Sequence, residues 1–432
     1  MSESKRRVIS VDYLARVEGE GALYIQLNGT ELEAVELKIF EPPRFFEAFL
    51  RGRDYREAPD ITSRICGICP IAYQMGAVQA MEAILGLQVS EPLRQLRRLI
   101  YCGEWIESHV LHIYMLHAPD FLGFPDAVAL AKVAPEAVKR GLRLKKIGNT
   151  LMTLLGGREI HPINLKVGGF YRLPEKRELL ALVPELEWAL DAAYTTLEWV
   201  AGFDFPDFER EYEYVALKHP MEYAIHEGRL VSNRGLDIPV AEYEAHFEEE
   251  HVMRSTALHS VRTGHGAYFV GPMARYNLNF DQLSPGVKAA AERVGIAGSC
   301  HNPFKSILVR SLETIFALEE SLRLIQAYQK PEAAYLSAPL KAGVGHGCTE
   351  APRGICYHRY TIDVQGNILN AKIVPPTSQN QKTIEADLRH LLPLYLDKPD
   401  QELQYLCEQA IRNYDPCISC STHFLKLEVA RQ

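Results

Sequence analysis

The chain has 432 residues, of which 47% are hydrophobic and 24% charged, and a net charge of −8. This is the composition of an ordinary soluble protein, long enough to bury a large core without disulfides. The absence of a basic stripe interleaved with aromatics argues against nucleic acid, and no apolar run approaches the ~20 residues needed to span a bilayer, so no membrane insertion is expected.

At the N-terminus Lys5, Arg6 and Arg7 precede an apolar stretch too short for a signal-peptide core. Residues 8–42 read as strands: VISVDYL, ALYIQLN and AVELKIF run apolar or alternate, with Asn28-Gly29 as a turn. From 44 to 156 the period becomes helical, and GGREIHPINLKVGGF at 156–170 is a loop punctuated by Gly and Pro. Segments 175–202 and 238–260 read as helix around a strand-like 205–237, and 305–329 as a long helix. Residues 340–380 are rich in loop and strand, with a turn at Gly366-Asn367, and 381–413 return to helix. GVGHG at 343–347 lacks GxGxxG spacing and reads as a loop, not a nucleotide site. The expected fold is mostly α with small β-sheets (α+β), as one unit over 1–432. Its parts are a β-rich 1–43, a helical core 44–340, a loop, strand and helix part 341–423, and a tail 424–432.

Nine cysteines, an odd number, fit a reducing cytoplasm better than a secreted disulfide framework. Four of them form two CxxC pairs. Pro70 suits the first helical position, which puts Cys66 and Cys69 at a helix entrance, where free N–H groups favour thiolate. Near the other end, YDPCISCSTHF offers Asp415 as an N-cap and Pro416 as a first helical residue. Cys417 and Cys420 then share one helix face, with His423 further along it. Three readings compete. A thiol–disulfide exchanger would need a βαβ context. Four thiolates could form a zinc clasp between the chain ends. Alternatively, four soft ligands from two facing helix entrances could hold a catalytic transition metal.

RICGICP (64–70) together with DPCISCSTH (415–423) resembles the two metal-binding motifs of the large subunit of [NiFe]-hydrogenases. Further similar stretches lie between them in order: RVEGEG (16–21), EPPRFFEAFLRGRDY (41–55), ESHVLHIYMLHAPDF (107–121), HPINLKVGGF (161–170), GPMARYN (271–277), EAPRG (350–354) and PPTSQN (375–380). The resemblance implies reversible heterolytic cleavage of H2 to protons and electrons at a Ni–Fe centre. By similarity Cys66 and Cys417 bind nickel alone. Cys69 and Cys420 bridge nickel to an iron that carries carbon monoxide and two cyanides. Heterolysis needs a base, and Glu18 matches the family's proton-relay glutamate. Arg353 matches an arginine that hangs over the metals, and Asp415 an aspartate that meets it. Glu47 and His423 match ligands of a structural divalent ion, usually magnesium; Glu41 lies too early for that spacing.

His109, His112 and His117 share one predicted helix and read as core residues or supporting donors. The other cysteines, Cys102, Cys300, Cys348, Cys356 and Cys407, form no iron–sulfur pattern, and no Rossmann or flavin fingerprint is present. Electrons must therefore leave through another chain, an iron–sulfur small subunit. The CPIAY and EPPRFFEAF variants look most like the cytoplasmic NAD(P)-linked branch, with diaphorase-type flavin/iron–sulfur subunits. A metal-free relative, such as the quinone-site subunit of respiratory complex I, lacks these four cysteines. Tyr73 stands where many relatives have histidine, Glu20 where they have the histidine of RIEGH, and Ser108 where one branch has aspartate. The resemblance also implies that a maturation protease removes the tail after His423.

Overall fold

The computed structural model describes residues 6–422. Three antiparallel strands, Arg6–Val11, Gly21–Asn28 and Glu31–Ile39, pair in chain order near the N-terminus. Along Gly21–Asn28 every second residue is buried, the period of a strand with one face on a core. The inward side chains are Leu23, Ile25 and Leu27.

The core is built from long helices: Pro70–Leu85, Glu91–Leu111, Pro135–Gly156, Val183–Ala201 and Ser306–Ala327. Glu91–Leu111 runs on into a π-helical stretch, His112–His117. PIAYQMGAVQAMEAIL carries Glu82 as its only charged side chain, so Pro70–Leu85 is apolar on nearly all sides and is buried accordingly. Glu82 is neutralised inside by Arg97, at 2.6 and 2.9 Å.

Two expectations are corrected. GVGHG is not a loop; it opens strand Gly343–Ala351, the edge of a second antiparallel sheet with Gly354–Ile362 and Ile368–Val374. The glycines are there because this strand crosses Pro70–Leu85 at very short range. A Cβ at Gly345 would lie 2.0 Å from Ala80 O, and one at Gly347 2.3 Å from Gly76 O. Segment 238–260 is also not a long helix. It holds one short helix, Tyr243–His246, and then strand Phe247–Glu250 pairs with His259–Arg262. The glutamates favour helix locally, but burial of Phe247 and the wholly buried His259–Arg262 ladder outweigh that preference.

The chain closes through helices Pro376–Leu391, Asp400–Arg412 and Ile418–Ser421. A buried clamp ties this end to the start. Arg412 pairs with Asp120 at 2.8 Å through both Nε and Nη2, and its Nη1 donates to Ala15 O at 2.9 Å. Arg16 reaches the same Asp120 and donates to Leu116 O at 2.8 Å. Among the described residues no helix is long and apolar enough to cross a membrane.

Candidate metal centre

Cys69 is the N-cap residue of Pro70–Leu85, with Pro70 in the first turn as the spacing predicts. The backbone N–H groups of Ile68 and Cys69 donate to Cys66 Sγ at 3.3 and 3.2 Å. The next free amides of the helix, Ile71 and Ala72, donate to Glu104 at 2.6 and 3.3 Å. Glu104 comes from the neighbouring helix and no local motif announces it. Cys417 is the N-cap residue of Ile418–Ser421, and Cys420 lies within that helix.

The two entrances face each other. Cys66 Sγ lies 3.6 Å from Cys417 Sγ, and Cys69 Sγ lies 3.9 Å from Cys420 Sγ. All four sulfurs fall within 4.8 Å of one another and are buried, and this is the one cluster among the described residues with metal-ligand geometry. Burial works against the Cys66 thiolate, but hydrogen bonds from Cys417, Cys420 and Cys69 and the charge of Arg353 hold its thiol well below the usual range. Burial pushes Cys417 and Cys420 up. Four crowded sulfurs cannot all ionise without cations between them, so the quartet could hold a soft metal, whose uptake would release protons.

Glu18 sits against this quartet. Its Oε2 accepts from Cys417 Sγ at 3.0 Å and from Ser419 N at 3.0 Å, while its carbonyl accepts from Ile418 N at 2.8 Å. Ser419 then donates through Oγ to Glu41 Oε2 at 2.9 Å. Glu41, set aside on spacing as a ligand for the divalent ion, therefore reaches the centre by another route, at the end of the N-terminal sheet.

Asp415 does not cap a helix, contrary to expectation. It adopts φ 51°, in the left-handed region. Its groups hold Arg353 instead: Arg353 Nε donates to Asp415 O at 2.7 Å and Nη2 to Oδ1 at 3.1 Å. Arg353 Nη1 is buried without a hydrogen-bond acceptor. Burial disfavours its charge, but Asp415 and the cysteines overcome this and hold its pKa above the ordinary arginine value. Burial raises the Asp415 carboxyl, against the pull of Arg353 and Arg310.

Behind Arg353 lies a second buried network. Arg275 donates to the carbonyls of Ala351 and Pro352 at 2.8 and 2.9 Å, and so fixes the turn that carries Arg353. Glu313 binds Arg275 through Nε and Nη2, both at 2.8 Å, and accepts from Tyr223 at 2.8 Å. His109 Nε2 lies 2.9 Å from Glu313, and His112 Nε2 lies 2.7 Å from Arg412 O, so both histidines support the fold. Burial lowers His109 to about 4, leaving it a neutral N–H donor. His117 is buried against Phe121.

Glu47 accepts from Ile373 N at 2.8 Å, and Arg44 N donates to Thr422 O at 2.7 Å. The segment carrying Glu47 is thus tied to the residue before His423. His423 and the tail lie outside the described residues.

The sequence profile of the nickel-dependent hydrogenases matches residues 44–143 and 265–423. Sulfhydrogenase 1 subunit alpha of Pyrococcus furiosus is 33% identical, over 97% of this chain and 98% of its own length. Sulfhydrogenase 2 subunit alpha of the same organism is 34% identical, over 97% and 100%. A crystal structure of an NAD+-reducing [NiFe]-hydrogenase in the H2-reduced state superposes with a TM-score of 0.88, covering 96% of this chain and 99% of that one at 25% identity. With these likenesses along nearly its whole length, the chain belongs to the nickel-dependent hydrogenase family, as a large subunit and an oxidoreductase acting on H2.

Proposed function

We propose that Cys66, Cys69, Cys417 and Cys420 hold a nickel–iron centre at which this subunit catalyses H2 ⇌ 2H+ + 2e−. The observation that carries the proposal is the buried sulfur quartet with the Glu18 carboxylate 3.0 Å from one of its members. Cys66 and Cys417, neighbours at 3.6 Å, would hold nickel, and Cys69 and Cys420, neighbours at 3.9 Å, would hold nickel and iron together. The iron would carry carbon monoxide and two cyanides. A closed zinc site needs only four sulfurs. This cradle also has buried donors at Arg353 Nη1 and the Tyr73 hydroxyl with no protein acceptor, which suits metals that carry small ligands of their own. Glu47 and His423 would hold magnesium or another divalent ion.

When bound, such a centre would supply the Lewis acidity that polarises H2 and makes its proton acidic. The chain's own groups handle the rest. Glu18 Oε2 takes the proton from Cys417 Sγ, and Ser419 links it to Glu41 and the surface beyond. Arg353 cannot lose its charge, so it fixes the electrostatics above the thiolates. Electrons need another path, since the remaining cysteines are all buried singly. Exposed Gly67 brings the Cys66–Cys69 loop to the surface beside Ile160. Nearby Arg56, Arg64, Ile163 and Tyr171 line a groove of about 750 Å³, the docking place we assign to an iron–sulfur small subunit. NAD(P) as final acceptor, reached through diaphorase-type flavin/iron–sulfur subunits, and a cytoplasmic location complete the proposal.

Cys417→Ser tests the ligand set: nickel retention should be lost, and a fully loaded variant would overturn the assignment. The tail 424–432 is proposed to be cut by a maturation protease after His423. The intact mass of nickel-loaded protein should lack it, and a mass that includes the tail would refute the cleavage.

A further inference from the structure

The first-turn N–H groups of a helix have no partner inside it, and the N-cap residue ordinarily turns its own side chain back onto the second or third of them. Cys69 is the N-cap residue of Pro70–Leu85, yet its side chain makes no such hydrogen bond. Pro70, at the first helical position, has no N–H to offer. The second and third amides go to a residue from another helix. Ile71 N donates to Glu104 Oε2 at 2.6 Å, and Ala72 N to Glu104 Oε1 at 3.3 Å. Ile71, Ala72 and Glu104 are all fully buried, so bulk water cannot serve these amides. A carboxyl accepts N–H bonds whether ionised or protonated, so this cap does not depend on the charge of Glu104.

The two cysteines of the loop differ as a result. Cys66 Sγ accepts from Ile68 N and Cys69 N at 3.3 and 3.2 Å. The amides that would ordinarily reach Cys69 Sγ are held by Glu104. The other entrance has a similar arrangement: Cys417 is an N-cap residue without a cap bond, and Ser419 N donates to Glu18 at 3.0 Å. Glu104 itself is firmly placed. Helix Glu91–Leu111 lies hard against Pro135–Gly156, where a Cβ at Gly148 would lie 2.7 Å from Gly103 O. On the other side of Glu104, Trp105 Nε1 donates to Glu350 O at 3.0 Å, which ties this turn to strand Gly343–Ala351.

We infer that Glu104 is a positioning residue that caps Pro70–Leu85 in place of Cys69, and so leaves the Cys69 sulfur free of amide hydrogen bonds for the metals. The inference rests on the nickel–iron reading above. Hydrogen bonds to a ligating sulfur draw charge from it and help to set the reduction potential. With Glu104 in place, Cys66 is the tempered ligand and Cys69 the electron-rich one. Without it, two buried amides need another acceptor, and the N-cap sulfur of Cys69 is the one a helix ordinarily offers.

The test is the infrared spectrum of metal-bound carbon monoxide and cyanide in the intact enzyme, together with the midpoint potential of the centre. Glu104→Leu, similar in size but without an acceptor, should move the bands to higher frequency and the potential to a more positive value. Glu104→Gln, whose carbonyl still accepts from Ile71 N, should stay near wild type in both. If Glu104→Leu fails to load metal, a crystal structure of the loaded wild-type enzyme decides. Ile71 N and Ala72 N on Glu104, with no amide on Cys69 Sγ, is the expected result, and an amide on Cys69 Sγ would overturn the inference. A metal-loaded Glu104→Leu variant with wild-type bands and potential would overturn the inference alone, whereas wild-type protein without nickel and iron would overturn the metal-centre reading and the inference together.

Discussion

Glu18→Gln should lower H/D exchange by about 10²–10⁴-fold, the usual range for loss of a positioned general base. The substitution is nearly isosteric. The glutamine carbonyl can still accept from Ser419 N, so the 3.0 Å contact and the docking of Ile418–Ser421 should survive. What disappears is the carboxylate that takes the proton from Cys417 Sγ. Nickel and iron contents should stay at wild-type levels, which separates this effect from metal loss. Wild-type exchange in a loaded variant would contradict the proposed role.

Glu313→Ala should destabilise the fold by about 3–5 kcal/mol, the usual cost of removing one partner of a buried ion pair. Arg275 is fully buried, and Glu313 supplies two of its 2.8 Å contacts, leaving Glu350 at 3.0 Å as its remaining carboxylate. Because Arg275 also holds the carbonyls of Ala351 and Pro352, the variant should loosen Arg353 as well. The urea midpoint at neutral pH measures the first effect. A loss below ~1 kcal/mol, typical of an exposed pair, would contradict the account.

The same pair sets a pH dependence. Burial works against the Glu313 carboxylate, but Arg275 and His109 bring it down to about 2. A depressed carboxyl stabilises the fold fully above its unfolded value, near 4.5, and that stabilisation is lost as pH falls toward 2. Glu350 is pushed up to about 7 by burial, so its contribution runs the other way and is lost as pH rises from about 4.5 through 7. Glu313→Gln should therefore flatten the acid limb of the stability profile and, because the Glu313 charge helps to raise Glu350, weaken the neutral limb without abolishing it.

The sulfur quartet was legible because its chemistry is written locally: each CxxC spaces two thiols across one helix entrance, and Pro70 marks where one helix begins. The residues around it were less so, because chain neighbours do not choose them. Glu41 and Glu104 arrive from other elements, through Ser419 and through the amides of Ile71 and Ala72. Asp415 reads as a cap from D-P-C alone, but a buried arginine competes for its oxygens and takes them. The glycines of 343–347 carry no side-chain periodicity, and their reason is a helix that lies elsewhere in the chain. In 238–260 a glutamate-rich stretch with helical preference pairs as strand because its partner, His259–Arg262, is wholly buried.

The central claim is that Cys66, Cys69, Cys417 and Cys420 enclose a nickel–iron pair. Elemental analysis of the purified enzyme, combined with its infrared spectrum, tests it most directly. Equimolar nickel and iron, with bands from metal-bound carbon monoxide and cyanide, is the predicted result. Zinc alone, with no such bands, would contradict it.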